Sequence, residues 1–170
     1  AATCEEALEL AEGLGSGTKA LPWRARVELA QKYSRLGRYS EAEQALAPLL
    51  ESDDDDFARL RARAHPTPGW MDCRRAHLDS AKVHADACMQ LGERFRDPFA
   101  RYLATSVQAI ILSSRGEADA SIELYESAID MARGLSLRRR EMIELANSAM
   151  AHMQAGQHDE ALRRMLQTRA

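Results

Sequence analysis

The sequence predicts an all-α fold, a right-handed superhelical solenoid of antiparallel helix pairs with about seven or eight helices. Three observations point there. Ser40, Asp79, Asp119 and Asp159, each a candidate helix N-cap, recur at a nearly constant interval of about 40 residues. Each follows a turn (Gly37-Arg38-Tyr39, Ala76-His77-Leu78, Gly116-Glu117-Ala118, Gly156-Gln157-His158), and a small residue stands two positions later: Ala42, Ala81, Ser121, Ala161. Such a period marks stacked helical hairpins, because one hairpin cannot bury its apolar face alone. Finally, apolar residues make up 45% of the chain but aromatics only 5%. Ala/Leu-rich stretches suit close helix packing, whereas strands favour β-branched and aromatic side chains.

Residues 3–14 read as the first helix. Thr3 and Glu6 have capping-box spacing, Ala7, Leu8, Leu10 and Ala11 are apolar, and Gly13 and Gly15 end it. The second helix is expected over 22–36, with Pro22 in its first turn and Val27, Leu29, Ala30, Tyr33 and Leu36 on the buried side. Ser40 and Glu43 open the third, with Ala42, Ala45, Leu46, Leu49 and Leu50 inward. Ser52 to Asp56 form an acidic loop that supplies a cap to a short helix over 57–64. Pro66-Thr67-Pro68-Gly69 then predicts a break, since an interior proline costs about 3 kcal/mol. Trp70 to Arg75 resume for a turn or two, and Asp79 to Leu91 form a helix carrying Ala81, Ala85, Cys88 and Met89.

Asp97-Pro98 is a cap followed by proline at the first helical position. The helix it opens carries Phe99, Tyr102, Leu103, Val107, Ile110 and Ile111. Asp119 opens its partner with Ile122, Tyr125, Ala128, Ile129 and Met131. The next runs over 137–155 with Met142, Leu145, Ala146, Ala149 and Met153, and Asp159 opens the last, into Leu162, Met165 and Leu166.

These residues resemble the tetratricopeptide repeat family. Trp23, Leu29-Ala30, Tyr33, Gly37, Tyr39 and Ala42 follow its pattern in the first full unit. Ala109, Gly116, Tyr125 and Ala128 follow it in the third, and Ala149, Gly156 and Ala161 in the fourth. The second unit is degenerate, with Ala76 in place of the turn glycine and Pro68 and Asp72 at expected core positions. The resemblance implies one repeat domain over 1–170, divided as 3–14 (second helix of a truncated repeat), 20–56, 57–96 (degenerate), 97–135 and 136–170. A period of about 40 exceeds the family's usual value of about 34. It is similar to the repeat domains of bacterial signalling proteins such as maltose-activator-type regulators and diguanylate cyclases. With its outermost helices lacking partners in the pattern, the chain is expected to be a piece of a longer protein or to have its ends covered by another chain.

The resemblance implies a binding module, not an enzyme, with a protein or peptide ligand along the concave face of the first-of-pair helices. Its groove positions correspond to Arg24, Val27, Gln31, Ser34 and Arg35, then Leu103, Ser106, Ile110, Ser113 and Ser114, then Ile143, Ala146, Met150, Met153 and Gln154. The partner-binding candidates are therefore Arg24, Gln31, Arg35, Trp70, Ile110, Met150 and Met153. The arginines would steer acidic groups and the methionines adapt to apolar ones. The Lys and Asn side chains with which family members clamp a chaperone tail are missing: Val27, Gln31, Pro66 and Trp70 stand there. Two other readings are a small-molecule sensor reported by Trp70, and self-association through the Leu8/Leu10 and Leu162/Met165 faces.

Other features bound the function. The net charge of −3 leaves no basic excess for a nucleic-acid backbone. Three scattered cysteines, Cys4, Cys73 and Cys88, suggest reduced thiols and a cytoplasmic setting. No apolar run is long enough for a membrane span, and no signal peptide is visible. Cys73, His77, His84 and Cys88 are ligand types without a zinc spacing, and Asp53 to Asp56 lack the alternation and glycine of a calcium loop, so no metal or other cofactor is expected. Arg138-Arg139-Arg140 read as a solvated face balanced by Glu141 and Glu144. No nucleophile elbow, phosphate loop or dinucleotide fingerprint occurs.

Overall fold

The computed structural model describes residues 20–168 and holds only helices, turns and loops among them. The helices are α1 (Ala20–Arg35), α2 (Tyr39–Leu50), α3 (Ala58–Ala64), α4 (Pro66–Arg74), α5 (Leu78–Arg94), α6 (Pro98–Ser114), α7 (Ala118–Gly134), α8 (Arg138–Gln154) and α9 (His158–Gln167). A 3-10 turn, Asp55–Phe57, precedes α3. With α3 and α4 taken as one bent helix, the count is eight. The all-α, repeat-like expectation is met, and the expected helix over 3–14 lies outside the described residues. Helices α2, α5, α7 and α9 begin at Tyr39, Leu78, Ala118 and His158, each one position before a residue of the recurring Ser/Asp series. From α5 onward each helix packs mainly on its neighbours in sequence, as in a stack of hairpins.

One turn geometry, repeated, sets this spacing. The N–H groups of Arg38, His77, Glu117 and Gln157 donate back to the carbonyls of Tyr33, Asp72, Leu112 and His152, at 2.8–3.0 Å. The residue before each is left-handed: Gly37 (φ 75°), Ala76 (φ 60°), Gly116 (φ 80°) and Gly156 (φ 75°). This is a Schellman closure, which satisfies the last carbonyls of the first helix. The same four residues then accept the first bond of the second helix, from Ala42, Ala81, Ser121 and Ala161. One residue thus ends one helix and starts the next.

That economy corrects the expected caps. The capping positions are Arg38, His77, Glu117 and Gln157, without side-chain cap bonds. Ser40, Asp79, Asp119 and Asp159 sit inside the first turn, where the acids face the positive end of the helix dipole. Asp97 does cap α6, accepting from Phe99 N at 3.0 Å and Ala100 N at 3.2 Å. Asp54 likewise caps the 3-10 turn, accepting from Asp56 N.

The predicted break over 66–69 shrinks to one residue. His65 itself has helical angles (φ −50°, ψ −38°), and α4 contains Pro66, Thr67, Pro68 and Gly69. Neither proline can donate, yet Gly69 N still reaches His65 O at 3.2 Å. Tertiary packing overrides the local cost, because all four of these residues are buried. Gly69 is needed for that packing. A Cβ there would meet Val107 Cγ1 at 3.2 Å and His84 Cβ at 3.4 Å.

The core runs along the stack in patches. Val27, Leu29, Ala30 and Tyr33 pack with Ala42, Leu46, Leu49 and Met71. Farther along, Cys88, Ala100, Tyr102, Leu103 and Ala128 form a second patch. Several expected core residues are instead exposed. Leu36 lies past the end of α1 in the turn, and Met142, Met153, Leu162, Met165 and Leu166 find no covering helix among the described residues.

Candidate ligand groove

The first-of-pair helices line a groove of about 770 Å³. Helix α1 contributes Arg24, Val27, Glu28, Gln31, Ser34 and Arg35, an i, i+3, i+4, i+7 face. The opposite wall holds Phe57, Leu60, Arg63, Pro66, Thr67 and Trp70, with Asp56 and Arg59 beside them. Phe99, Leu103 and Ser106 of α6 and Arg140 of α8 complete it. The groove is thus apolar and aromatic within, and arginine-rich among its polar groups.

Several of these side chains are fixed by partners. Arg63 Nε donates to Asp97 Oδ2 at 2.8 Å, and its guanidinium lies 5.3 Å from the Phe99 ring centre. Burial pushes the Asp97 carboxyl up, but bonds from Arg63 and the Ala100 amide outweigh it and hold the group below its ordinary value. Trp23 packs at a tilt on Phe57, 5.9 Å between centres. Arg140 lies 5.7 Å from the centre of Trp70. Arg24, Arg35 and Arg140 have no ion-pair partner among the described residues.

Behind the groove sits a buried polar cluster. Tyr102 Oη donates to Glu144 Oε1 at 2.7 Å, and Ser106 Oγ donates to the same oxygen at 2.8 Å. Glu144 and Tyr102 have no exposed surface. Glu144 Oε2 is buried without a hydrogen-bond partner among the described residues. Burial, then the Glu144 charge, pushes the Tyr102 hydroxyl well above the usual phenol range. The phenol therefore stays a proton donor to the carboxylate.

The structure brings Arg24, Gln31, Arg35 and Trp70 together on this groove and leaves Ile110, Met150 and Met153 off it. Ile110 packs beside Ala109, Tyr125 and Ala151. Met150 and Met153 are exposed on α8. Sequence reasoning passed over Phe57, Arg63, Phe99 and Arg140. It also misplaced Glu144: of the expected solvated face, Arg138 and Arg139 are exposed, Glu141 pairs with Arg133 at 2.7 Å, and Glu144 is interior. A signal was present. Glu144 shares a helical face with Ser148 and Ala151, inside a stripe of small residues. Arg140 in a first helical turn opposes the dipole and needs a partner from elsewhere.

The thiols and imidazoles are separate from the groove. Cys88 Sγ donates to Ala100 O at 3.2 Å, and burial pushes its thiol up to about 12. Cys73 is pushed up to about 11, again by burial. Neither is a ready nucleophile. No three His, Cys, Asp or Glu side chains among the described residues converge as a metal site, and no described helix is long and apolar enough to cross a membrane.

A family model described as Tetratricopeptide repeat matches residues 3–64. That match supports a tetratricopeptide repeat over this stretch. No curated protein matches the chain. Tetratricopeptide repeats generally mediate protein–protein interaction and are typically non-catalytic. The four positions that correspond to the family's tail clamp, Val27, Gln31, Pro66 and Trp70, all line the groove. They carry no Lys or Asn, and the cationic groups here are arginines on other turns.

Proposed function

We propose that the chain is a protein-interaction module that takes a peptide segment of its partner into the groove. The observation that supports this is the convergence of Arg24, Gln31, Arg35 and Trp70 on one concavity of tetratricopeptide-repeat helices, with no constellation of catalytic groups on it. Trp70, Phe57 and Phe99 supply anchor surface and the arginines supply direction. The long, constant hairpin spacing supports a scaffold or input role in a bacterial signalling or regulatory protein. Peptides selected from a random display library against the chain test the groove. The double variant Arg24→Glu/Arg35→Glu changes only exposed side chains. It should weaken the selected peptides at least about tenfold. Undiminished binding would remove the groove from consideration.

A second reading is self-association. Met150, Met153, Leu162, Met165 and Leu166 are each about half or more exposed on the last two helices. Exposed apolar side chains in such number on neighbouring helices fit an interaction surface. Sedimentation across a hundredfold concentration range separates the readings: a weight-average mass that stays at one chain counts against it.

A further inference from the structure

Along α1 the groove residues Arg24, Glu28, Gln31 and Arg35 stand at i, i+4, i+7 and i+11, one stripe of the helix. The stripe is a charge pattern, with a cation at each end and an acid and a neutral amide between. At 1.5 Å per residue the two arginines are about 16 Å apart along the helix. Both are exposed, and neither has an ion-pair partner among the described residues. That separation is about twice the screening length at physiological salt, so each cation acts on its own and no single compact anion reaches both. The groove as a whole is positive. Five arginines line it against two acids, Glu28 and Asp56, on a chain whose net charge is −3. Of the five, Arg63 is offset by Asp97 at 2.8 Å. The opposite wall is apolar through Phe57, Leu60, Pro66 and Trp70.

The ligand that complements this pattern carries two anionic groups about 16 Å apart with a neutral middle. In an extended chain, at about 3.3 Å per residue, that distance is about five residues. In a helix it is eleven, by the same 1.5 Å rise that separates the arginines. Gln31 favours the extended form. Its amide both donates and accepts, as a free peptide unit does, and a helical ligand uses its peptide units internally.

We infer that the groove takes an extended acidic segment of a partner protein, with two carboxylates about five residues apart, one on Arg24 and one on Arg35. The residues between them are uncharged, because Glu28 repels a third carboxylate, and apolar ones among them pack on the opposite wall. The pattern is the same in either chain direction. This rests on the peptide-binding reading of the groove and names its ligand.

The probes are the library-selected peptides and a synthetic set with two Glu residues placed two, five, eight or eleven positions apart in one neutral, Leu-containing sequence. The selected pool should be rich in Asp and Glu. Fluorescence anisotropy on the intact chain at low salt should give the tightest binding at a spacing of five, by about fivefold over two and eleven. Arg24→Gln and Arg35→Gln should each weaken that peptide about three- to fivefold and level the spacing preference. A peptide with Lys for both Glu should prefer the double variant Arg24→Glu/Arg35→Glu to wild type. Melting temperatures check that the variants keep their fold; should one lose it, the spacing series on the wild-type chain decides alone. A selected pool without acidic bias, or no binding by any acidic peptide, overturns the ligand class. Equal affinity at all spacings, or an optimum away from five, overturns the register, and an optimum at eleven overturns the extended form as well. Failure of the groove reading looks different: selected peptides unaffected by Gln31→Trp, which fills the groove from α1, bind elsewhere.

Discussion

His65 and His84 bring two imidazoles together where α4 meets α5, with Nδ1 atoms 3.2 Å apart. At that distance one ring must donate and the other accept, so the pair cannot carry two charges without facing donor against donor. Burial, then His84, then Arg61 hold His65 down to about 4, and burial holds His84 below its ordinary value although Asp72 and Glu43 pull it back up. The sign follows from proton counting. Between the ordinary histidine value of 6.5 and about 4, the unfolded chain binds a proton that the folded chain refuses. Stability from this site is complete above the unfolded value and is lost as pH falls toward the folded one. The loss should reach about 2–3 kcal/mol by pH 4. Urea midpoints of wild type and His65→Gln, measured from pH 7.5 to 4, check it. The variant removes the His65 contribution, so its curve should be the flatter one. Parallel curves would mean the pair does not titrate as described.

Among the elements, the turns carry the repeat. Ala76 keeps the left-handed conformation of the glycines it replaces, at φ 60°, and Arg96 and Ser136 do the same in the turns between pairs. A side chain in this region costs about 1–2 kcal/mol. Ala76→Gly should therefore stabilise the chain by about 0.5–1 kcal/mol, after the added freedom of the unfolded glycine is counted. Gly116→Ala should cost about 1 kcal/mol through φ alone, because no atom lies within 4 Å of the added Cβ. Urea unfolding of both variants measures this, and a neutral result for each would show that the turns are not held in that geometry. Most of this layer was legible in the sequence, because the turn glycines and the constant period are visible without any tertiary knowledge. The caps were misread since Ser and Asp are equally at home one step inside a helix. The 66–69 break was overestimated since proline's local cost is visible in sequence and the burial that outweighs it is not. The groove was half legible. Its α1 face follows from helical spacing, whereas Arg140 meets Trp70 from a distant part of the chain and Glu144 of α8 is buried against Tyr102 and Ser106 of α6.

The whole molecule is a stack, and in a stack stability is a sum of contacts between neighbours. Burial is uneven along it. Helix α6 has nine buried residues and packs on α5 and α7, with further contacts to α4 and α8. Helix α9 has one, Ala161, and rests chiefly on α8. Its outward Leu162, Met165 and Leu166 stay about half exposed and gain little from burial. Ion pairs do not make up the difference. Arg164 bridges Glu126 and Glu160 at 3.1 and 2.9 Å, but partly exposed pairs contribute at most about 1 kcal/mol each. The molecule should therefore open from α9 inward, with local unfolding well below the global free energy. Amide hydrogen exchange should be at least about a hundredfold faster over 158–167 than over 98–114, a gap of about 2.7 kcal/mol. The same measurement bears on self-association. If a second copy covers the α9 face, protection over 158–167 rises with protein concentration while that of α6 stays constant. Protection over 158–167 equal to that of α6 at every concentration would contradict the stack, because no contact among the described residues accounts for it.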